Sequence, residues 1–185
     1  MSVETQPVAP GLANVVGQIR DHLRTLPTAD SSVTFRAATQ LAEGVRTIAN
    51  IRHFALTIDE PTNLGGTDQG PNPVEVVLAA LGTCQEIVYA VYAAAAGIRL
   101  ERLAVDVEGD LDPRGFFGVA EVAPGFSEVR FHVQIESPES PERIAALIDD
   151  VNRHCPVLDI LQRALPVSGS VALNGQPVQG SSDAR

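Results

Sequence analysis

Residues 71–97 read PNPVEVVLAALGTCQEIVYAVYAAAAG, and the rest of the chain is organised around them. Pro71 and Pro73 hold the entry extended and set up a helix start. Asn72 fits the N-cap and Pro73 the first helical position. Glu75 falls in the first turn, where the helix dipole favours a carboxylate. Gly97 fits the left-handed position that ends many helices. Alanine and leucine favour helix between these ends, and the valines cost little. The stretch therefore predicts one long helix over Val74 to Ala96. Val77, Ala80, Leu81, Cys84, Ile87, Val88 and Val91 share a face, and almost no face is polar. Helices that are apolar nearly all round are buried. A membrane span needs about 20 mostly apolar residues. Glu75, Gly82, Gln85 and Glu86 interrupt this run, and no Lys or Arg flanks it closely. The expectation is a core helix and no membrane, with Cys84 inside the protein or in a pocket opening onto its core.

Toward the N-terminus lies DEPTNLGGTDQG, residues 59–70, whose Pro, Asn, Asp and Gly residues favour turns. It lacks the spacing of a phosphate-binding glycine loop and reads as a tight entry to the helix. Phe54 to Ile58 and Val45 to Asn50 read as two strands or one long bent strand. Ser32 to Leu41 alternates Val33, Phe35, Ala37 and Thr39 on one face, a strand signature. Arg36, Arg46, Arg52 and His53 are scattered over these strands. Further out, Leu12 to Leu26 carries Leu12, Val15, Val16, Ile19, Leu23 and Leu26 at helical spacing, and Pro27 closes it. This amphipathic helix reads as an appendage, packed outside the main domain or on a partner subunit. Met1 to Gly11 reads as a frayed tail.

Toward the C-terminus, Leu103, Val105 and Val107 alternate with charged residues in a strand running to about Leu111. Asp112 to Gly125 reads as an irregular loop with Phe116 and Phe117 exposed. Phe126 to Glu136 alternates again, with Val129, Phe131, Val133 and Ile135 inward and Glu128, Arg130, His132 and Gln134 outward. The two strands predict an antiparallel hairpin, which leaves His132 solvated. Ser140 and Pro141 start a second helix whose stripe is Ile144, Leu147, Ile148 and Val151. Cys155 continues the stripe, Pro156 breaks it, and a short helix restarts over Val157 to Ala164. A thiol at such a junction lies near exposed amides that can lower its pKa. Ser168 to Leu173 reads as a last strand. The domain division is 1–31, tail and appended helix; 32–173, one α+β domain; 174–185, a disordered polar tail.

Composition bounds the function. The chain has 185 residues, 44% of them hydrophobic and 19% charged, enough for one cored domain. A net charge of -10 repels phosphate backbones and argues against nucleic acid as a partner. No basic segment followed by an apolar run opens the chain, so the expected home is cytoplasmic. The 2 cysteines, Cys84 and Cys155, are far apart in sequence. In a reducing compartment they are two buried small hydrophobes or a redox couple. His154 beside Cys155 lacks the neighbours of a metal site, and neither metal nor cofactor is expected.

The order strands, buried helix with a central Cys, hairpin, helix ending in Cys-Pro-Val and final strand resembles the OsmC/Ohr family. The matching residues are Gly65-Gly66, Pro71-Asn72-Pro73, Glu75, Ala79-Ala80, Gly82, Cys84 and Cys155-Pro156-Val157, over about Ser32 to Leu173. The resemblance implies an OsmC-like fold: an intertwined homodimer whose antiparallel or mixed sheets wrap the long buried helices. It also implies thiol-dependent reduction of organic hydroperoxides, with a small-molecule hydroperoxide and a dithiol reductant as partners. Cys84 would attack the peroxide as a thiolate and Cys155 would resolve the sulfenic acid to a disulfide. In the family an early arginine holds the thiolate and a helix glutamate orients it. Arg46 and Arg52 are the main candidates and Arg36 a lesser one, with a lean to Arg52; Glu75 is the nearest carboxylate. The family glutamate directly follows Asn-Pro, where this chain has Val74, as in the broader OsmC-like branch. A second reading makes the same fold a binding module for an apolar small molecule at the dimer interface, without peroxidase activity.

Overall fold

The structure is a computed structural model that describes residues 8–9, 11–27 and 31–178. Most of Met1 to Gly11 and the last seven residues lie outside the described residues, as does the disorder expected of them. The described chain is α+β, with helices α1 (Leu12–Thr25), α2 (Pro73–Ala96), α3 (Pro113–Phe116), α4 (Pro141–His154) and α5 (Pro156–Gln162). The strands are β1 (Ala38–Glu43), β2 (Arg46–Ile51), β3 (Phe54–Ile58), β4 (Arg102–Leu111), β5 (Phe126–Glu136), β6 (Val171–Leu173) and β7 (Gln176–Val178). They form three separate antiparallel sheets, β1-β2-β3, β4-β5 and β6-β7.

α2 starts as its residues dictate. The Asn72 side chain accepts the Glu75 N–H at 2.9 Å, and the Glu75 carboxylate accepts the Asn72 N–H at 2.8 Å. This capping box satisfies two orphan donors reciprocally. Gly97 ends the helix with φ 62. The entry loop is pinned from within by Asp59, which is 1% exposed. Its carboxylate accepts N–H groups of Glu60, Thr67 and Gln69 and the Thr67 hydroxyl. The Thr67 hydroxyl, followed by the amides, holds the Asp59 carboxyl below its ordinary range. The loop folds so tightly that a Cβ on Gly66 would stand 1.7 Å from the Glu60 carbonyl oxygen.

α2 packs on β4, α4, α5 and α1. Its buried residues are Leu81, Gly82, Gln85, Val88, Tyr89 and Ala93. The expected face thus turns inward only at Leu81 and Val88; Ile87 is 64% exposed, and Cys84 sits at the border. A helix with no polar side cannot declare which sector packs. Gly82 decides it locally, because a Cβ there would meet Val107 Cγ2 at 3.2 Å. The core gathers Leu81, Val88, Tyr89, Ala93, Leu103, Leu147, Val151, Cys155 and Leu158, with the inner faces of β4 and β5 on it. α2 has the length and apolarity of a membrane-crossing helix, yet only 28% of its most apolar window is buried within the chain.

The first sheet contrasts with this core. None of its strand residues is buried. Val33 and Phe35 belong to no strand, and Phe35 is 91% exposed. The regular pairing begins later, at Ala38. At the other end, residues 174–178 do not belong to a disordered tail: Asn174 and Gly175, both with positive φ, turn the chain into β7. An Asn-Gly pair between short apolar runs is the strongest local hairpin signal.

Candidate functional site

Cys84 rides on α2, and Cys155 sits where α4 gives way to α5. Pro156 disfavours helical backbone at the residue before it. Cys155 accordingly takes φ -79 and ψ 112, closing α4 and N-capping α5. This kink places the Cys155 sulfur 3.4 Å from the Cys84 sulfur, 71 residues away in sequence. Both thiols are free. Cys155 is 1% exposed, whereas Cys84 is half-buried and reachable from outside.

Burial pushes the Cys84 thiol up, while a hydrogen bond from the Val157 N–H pulls it down and the Cys155 thiol raises it again. No cation is among these influences. A thiol is ordinarily only a few per cent ionised at pH 7, so burial leaves Cys84 a weak nucleophile in the isolated chain. A cleft of about 420 Å³ is lined by Leu81, Phe126, Val129, Phe131, Leu158 and Leu161, with Ser127, Glu128 and Gln162 as its polar members. Leu81 precedes Cys84 by one turn and Leu158 follows Cys155 by one turn.

The remaining candidates are not brought to the thiols within one chain. Glu75 is committed to the capping box, nine residues before Cys84, or about 14 Å along the helix axis. Arg46 donates to Gln69 Oε1 at 2.9 Å and pairs with Glu43 at 2.8 Å. Arg52 holds the left-handed position of the β2-β3 turn, φ 56, with its guanidinium 5.1 Å from the Phe54 ring centroid. Through Gln69, Arg46 is tied to the loop that enters α2.

Three features escape a sequence reading. Gln85, directly after Cys84, is 0% exposed, and neither its amide nitrogen nor its oxygen has a hydrogen-bond partner. The signal was present as an amide in an otherwise apolar run. Asp59 is a buried loop organiser, although an acid opening a polar loop ordinarily points to water. Tyr92 stacks on His154, the residue before Cys155, and nothing in the spacing of the two announces it.

The family model described as OsmC-like protein matches residues 66–169. A protein named hydroperoxide reductase from Mycoplasma genitalium is 30% identical over 112 residues, which are 59% of this chain and 73% of that protein. Its namesake from Mycoplasma pneumoniae is 29% identical over 113 residues, with the same coverage. Among solved structures, an OsmC-like protein from Mycoplasma pneumoniae superposes with TM-score 0.61 at 26% identity, covering 71% of this chain and 89% of that one. An organic hydroperoxide resistance protein from Legionella pneumophila, at 20% identity and TM-score 0.54, shares the fold over 71% of this chain and 92% of its own.

Proposed function

We propose that this chain, which belongs to the OsmC-like protein family, reduces organic hydroperoxides through Cys84, with Cys155 as the resolving thiol. The observation that carries the reading is the pair of free thiols at 3.4 Å, one half-buried and one sealed. The names of the relatives point the same way.

The chemistry balances as follows. The Cys84 thiolate attacks the terminal oxygen of R–O–OH, the O–O bond breaks, and the alkoxide leaves as alcohol after taking a proton. Cys84 is then a sulfenic acid. The Cys155 sulfur attacks the Cys84 sulfur, the S–O bond breaks, and hydroxide leaves with the thiol proton as water. A dithiol donor returns both thiols by exchange.

The first step requires a cation that the single chain does not bring to Cys84, and a second copy is the proposed source. Two exposed apolar surfaces support a homodimer. They are the outer sector of α2 around Ile87 and the first sheet with Leu41 and Phe54. A partner that lays its first sheet on α2 would cover both and carry Arg46 or Arg52 with it. Interfaces of about 2,000–5,000 Å² are the ordinary range for obligate dimers.

Among the described residues no cation acts on Cys84, which favours the second reading, an apolar binding module, if no partner arginine arrives. One experiment separates them. Purified reduced protein is treated with cumene hydroperoxide while free thiols and the mass at Cys84 are followed. Loss of both thiols and a Cys84–Cys155 disulfide are expected. Cys84→Ser should be inert, and Cys155→Ser should stop at the sulfenic acid. Survival of both thiols in excess peroxide would overturn the peroxidase reading and leave the binding module.

A further inference from the structure

We infer that α1 is a positioning element for the resolving thiol, acting through Arg20, Tyr92 and His154; the inference rests on the dithiol reading above. α1 lies outside the stretch that the family model matches. It is nevertheless docked on α2 of its own chain, with Val16 buried. The Arg20 guanidinium stands 5.0 Å from the centroid of the Tyr92 ring. The same ring stacks on His154, with centroids 5.1 Å apart and planes 24° from parallel. Arg20, Tyr92 and His154 thus form a continuous chain of contacts from α1 across α2 to the end of α4.

His154 is the last residue of α4. Its Nδ1 lies 2.7 Å from the Asp150 carbonyl oxygen, which can only accept, so Nδ1 carries the proton. The ring is therefore clamped at its edge by its own helix and on its face by Tyr92. The next residue is Cys155, whose side chain has no part in capping either helix. Helix ends fray unless something holds them, and the last turn of α4 is where Cys155 takes its position. Geometry makes that position critical. The sulfurs are 3.4 Å apart and must close to about 2.05 Å for the disulfide. Misplacement by about 1 Å can cost as much as a hundredfold in rate for an otherwise oriented pair. A slow resolving step leaves the sulfenic acid open to a second peroxide and to irreversible sulfinic acid.

The test uses the full chain with Arg20→Ala, Tyr92→Leu and Tyr92→Phe. One equivalent of cumene hydroperoxide is added, and quenched samples are weighed for sulfenic acid, disulfide and sulfinic acid. In parallel, the thiol pair is equilibrated with reduced and oxidised dithiothreitol, without peroxide. Arg20→Ala and Tyr92→Leu should slow disulfide closure about tenfold, leave sulfenic acid formation unchanged and raise the sulfinic fraction. They should also shift the dithiothreitol equilibrium toward the thiols. Tyr92→Phe keeps the ring and should match the parent. The inference is overturned if closure and equilibrium in Arg20→Ala equal the parent's, if both chemical steps slow together, or if Tyr92→Phe is as impaired as Tyr92→Leu. If peroxide leaves the parent with neither sulfenic acid nor disulfide, the peroxidase reading fails on its own, and the dithiothreitol equilibrium alone decides the part played by α1.

Discussion

Replacing Gln85 by methionine should make the protein more stable, although Gln85 is the most thoroughly enclosed polar side chain on α2. Its amide is 0% exposed, and both the nitrogen and the oxygen lack partners. Burying an amide without compensating hydrogen bonds costs about 1–3 kcal/mol by mutational measures. Methionine has the same unbranched shape and nearly the same helix propensity, so it fills the space without a new strain or propensity term. The expected gain for Gln85→Met is therefore about 1–3 kcal/mol, with the thiols kept reduced. At about 2–4 °C per kcal/mol for a domain of this size, the melting temperature should rise by several degrees. Urea unfolding at fixed chain concentration is the better assay, because a shifted midpoint with an unchanged slope isolates stability from changes in exposed surface. A destabilisation of about 1 kcal/mol or more would refute the reasoning, because it would mean that the amide is satisfied, most simply by an enclosed water. The same variant also bears on chemistry. If it is more stable yet slower toward peroxide, the amide is kept beside Cys84 at a structural cost for function.

Three further outcomes follow from the geometry. If Arg46 or Arg52 serves the thiol of the other subunit, a Cys84→Ser chain co-refolded with an Arg46→Ala,Arg52→Ala chain should regain peroxide consumption that neither has alone; an inactive mixture would place the cation in the same chain. Asp59 has a lowered folded pKa, so its stabilising contribution is present above the unfolded value of about 3.9 and is lost as pH falls through the folded one. Amide protection at Thr67 and Gln69 should accordingly hold from neutral pH to about 4 and drop below it, and Asp59→Asn should flatten that dependence. Gly66→Ala must displace the Glu60 carbonyl, so limited proteolysis should cut the 59–70 loop faster than in the parent; equal cutting would show that the loop relaxes at no cost.

Much of this fold is legible in the residues, and the exceptions have physical causes. Local chemistry was sufficient for the capping box at Asn72 and Glu75, the proline break after Cys155 and the alternation of β5 from Phe126 to Glu136. Each of these depends on neighbours a few positions away. The inward sector of α2 was not legible, because periodicity only orients a helix that has a polar side, and this one has almost none. Gln85 and the Tyr92–His154 stack depend on contacts between separate elements, which no spacing encodes. The thiol pair stands between these cases. The residues name both sulfurs and the motif around each, but only the packed α2–α4 pair brings them to 3.4 Å. The arginines were the least legible. Arg46 opens β2 and Arg52 sits in the β2-β3 turn of a sheet whose strands have no buried residues, so their place relative to Cys84 is not decided within one chain.

The separation of the strands into three sheets also bears on how the protein folds. Every strand pairs with its immediate neighbour along the chain, so each sheet can form from local contacts without waiting for distant parts. Low contact order of this kind favours rapid folding. In the proposed homodimer, the surfaces that the finished sheets leave apolar are covered by an encounter between chains, and that step depends on concentration. Refolding from urea under reducing conditions should therefore show a fast phase, independent of dilution, in which helix and sheet appear. A slower phase proportional to chain concentration should follow. Reactivity of Cys84 toward peroxide should return only with the second phase, so that a freshly made, still solitary chain carries its sulfurs in place but chemically quiet.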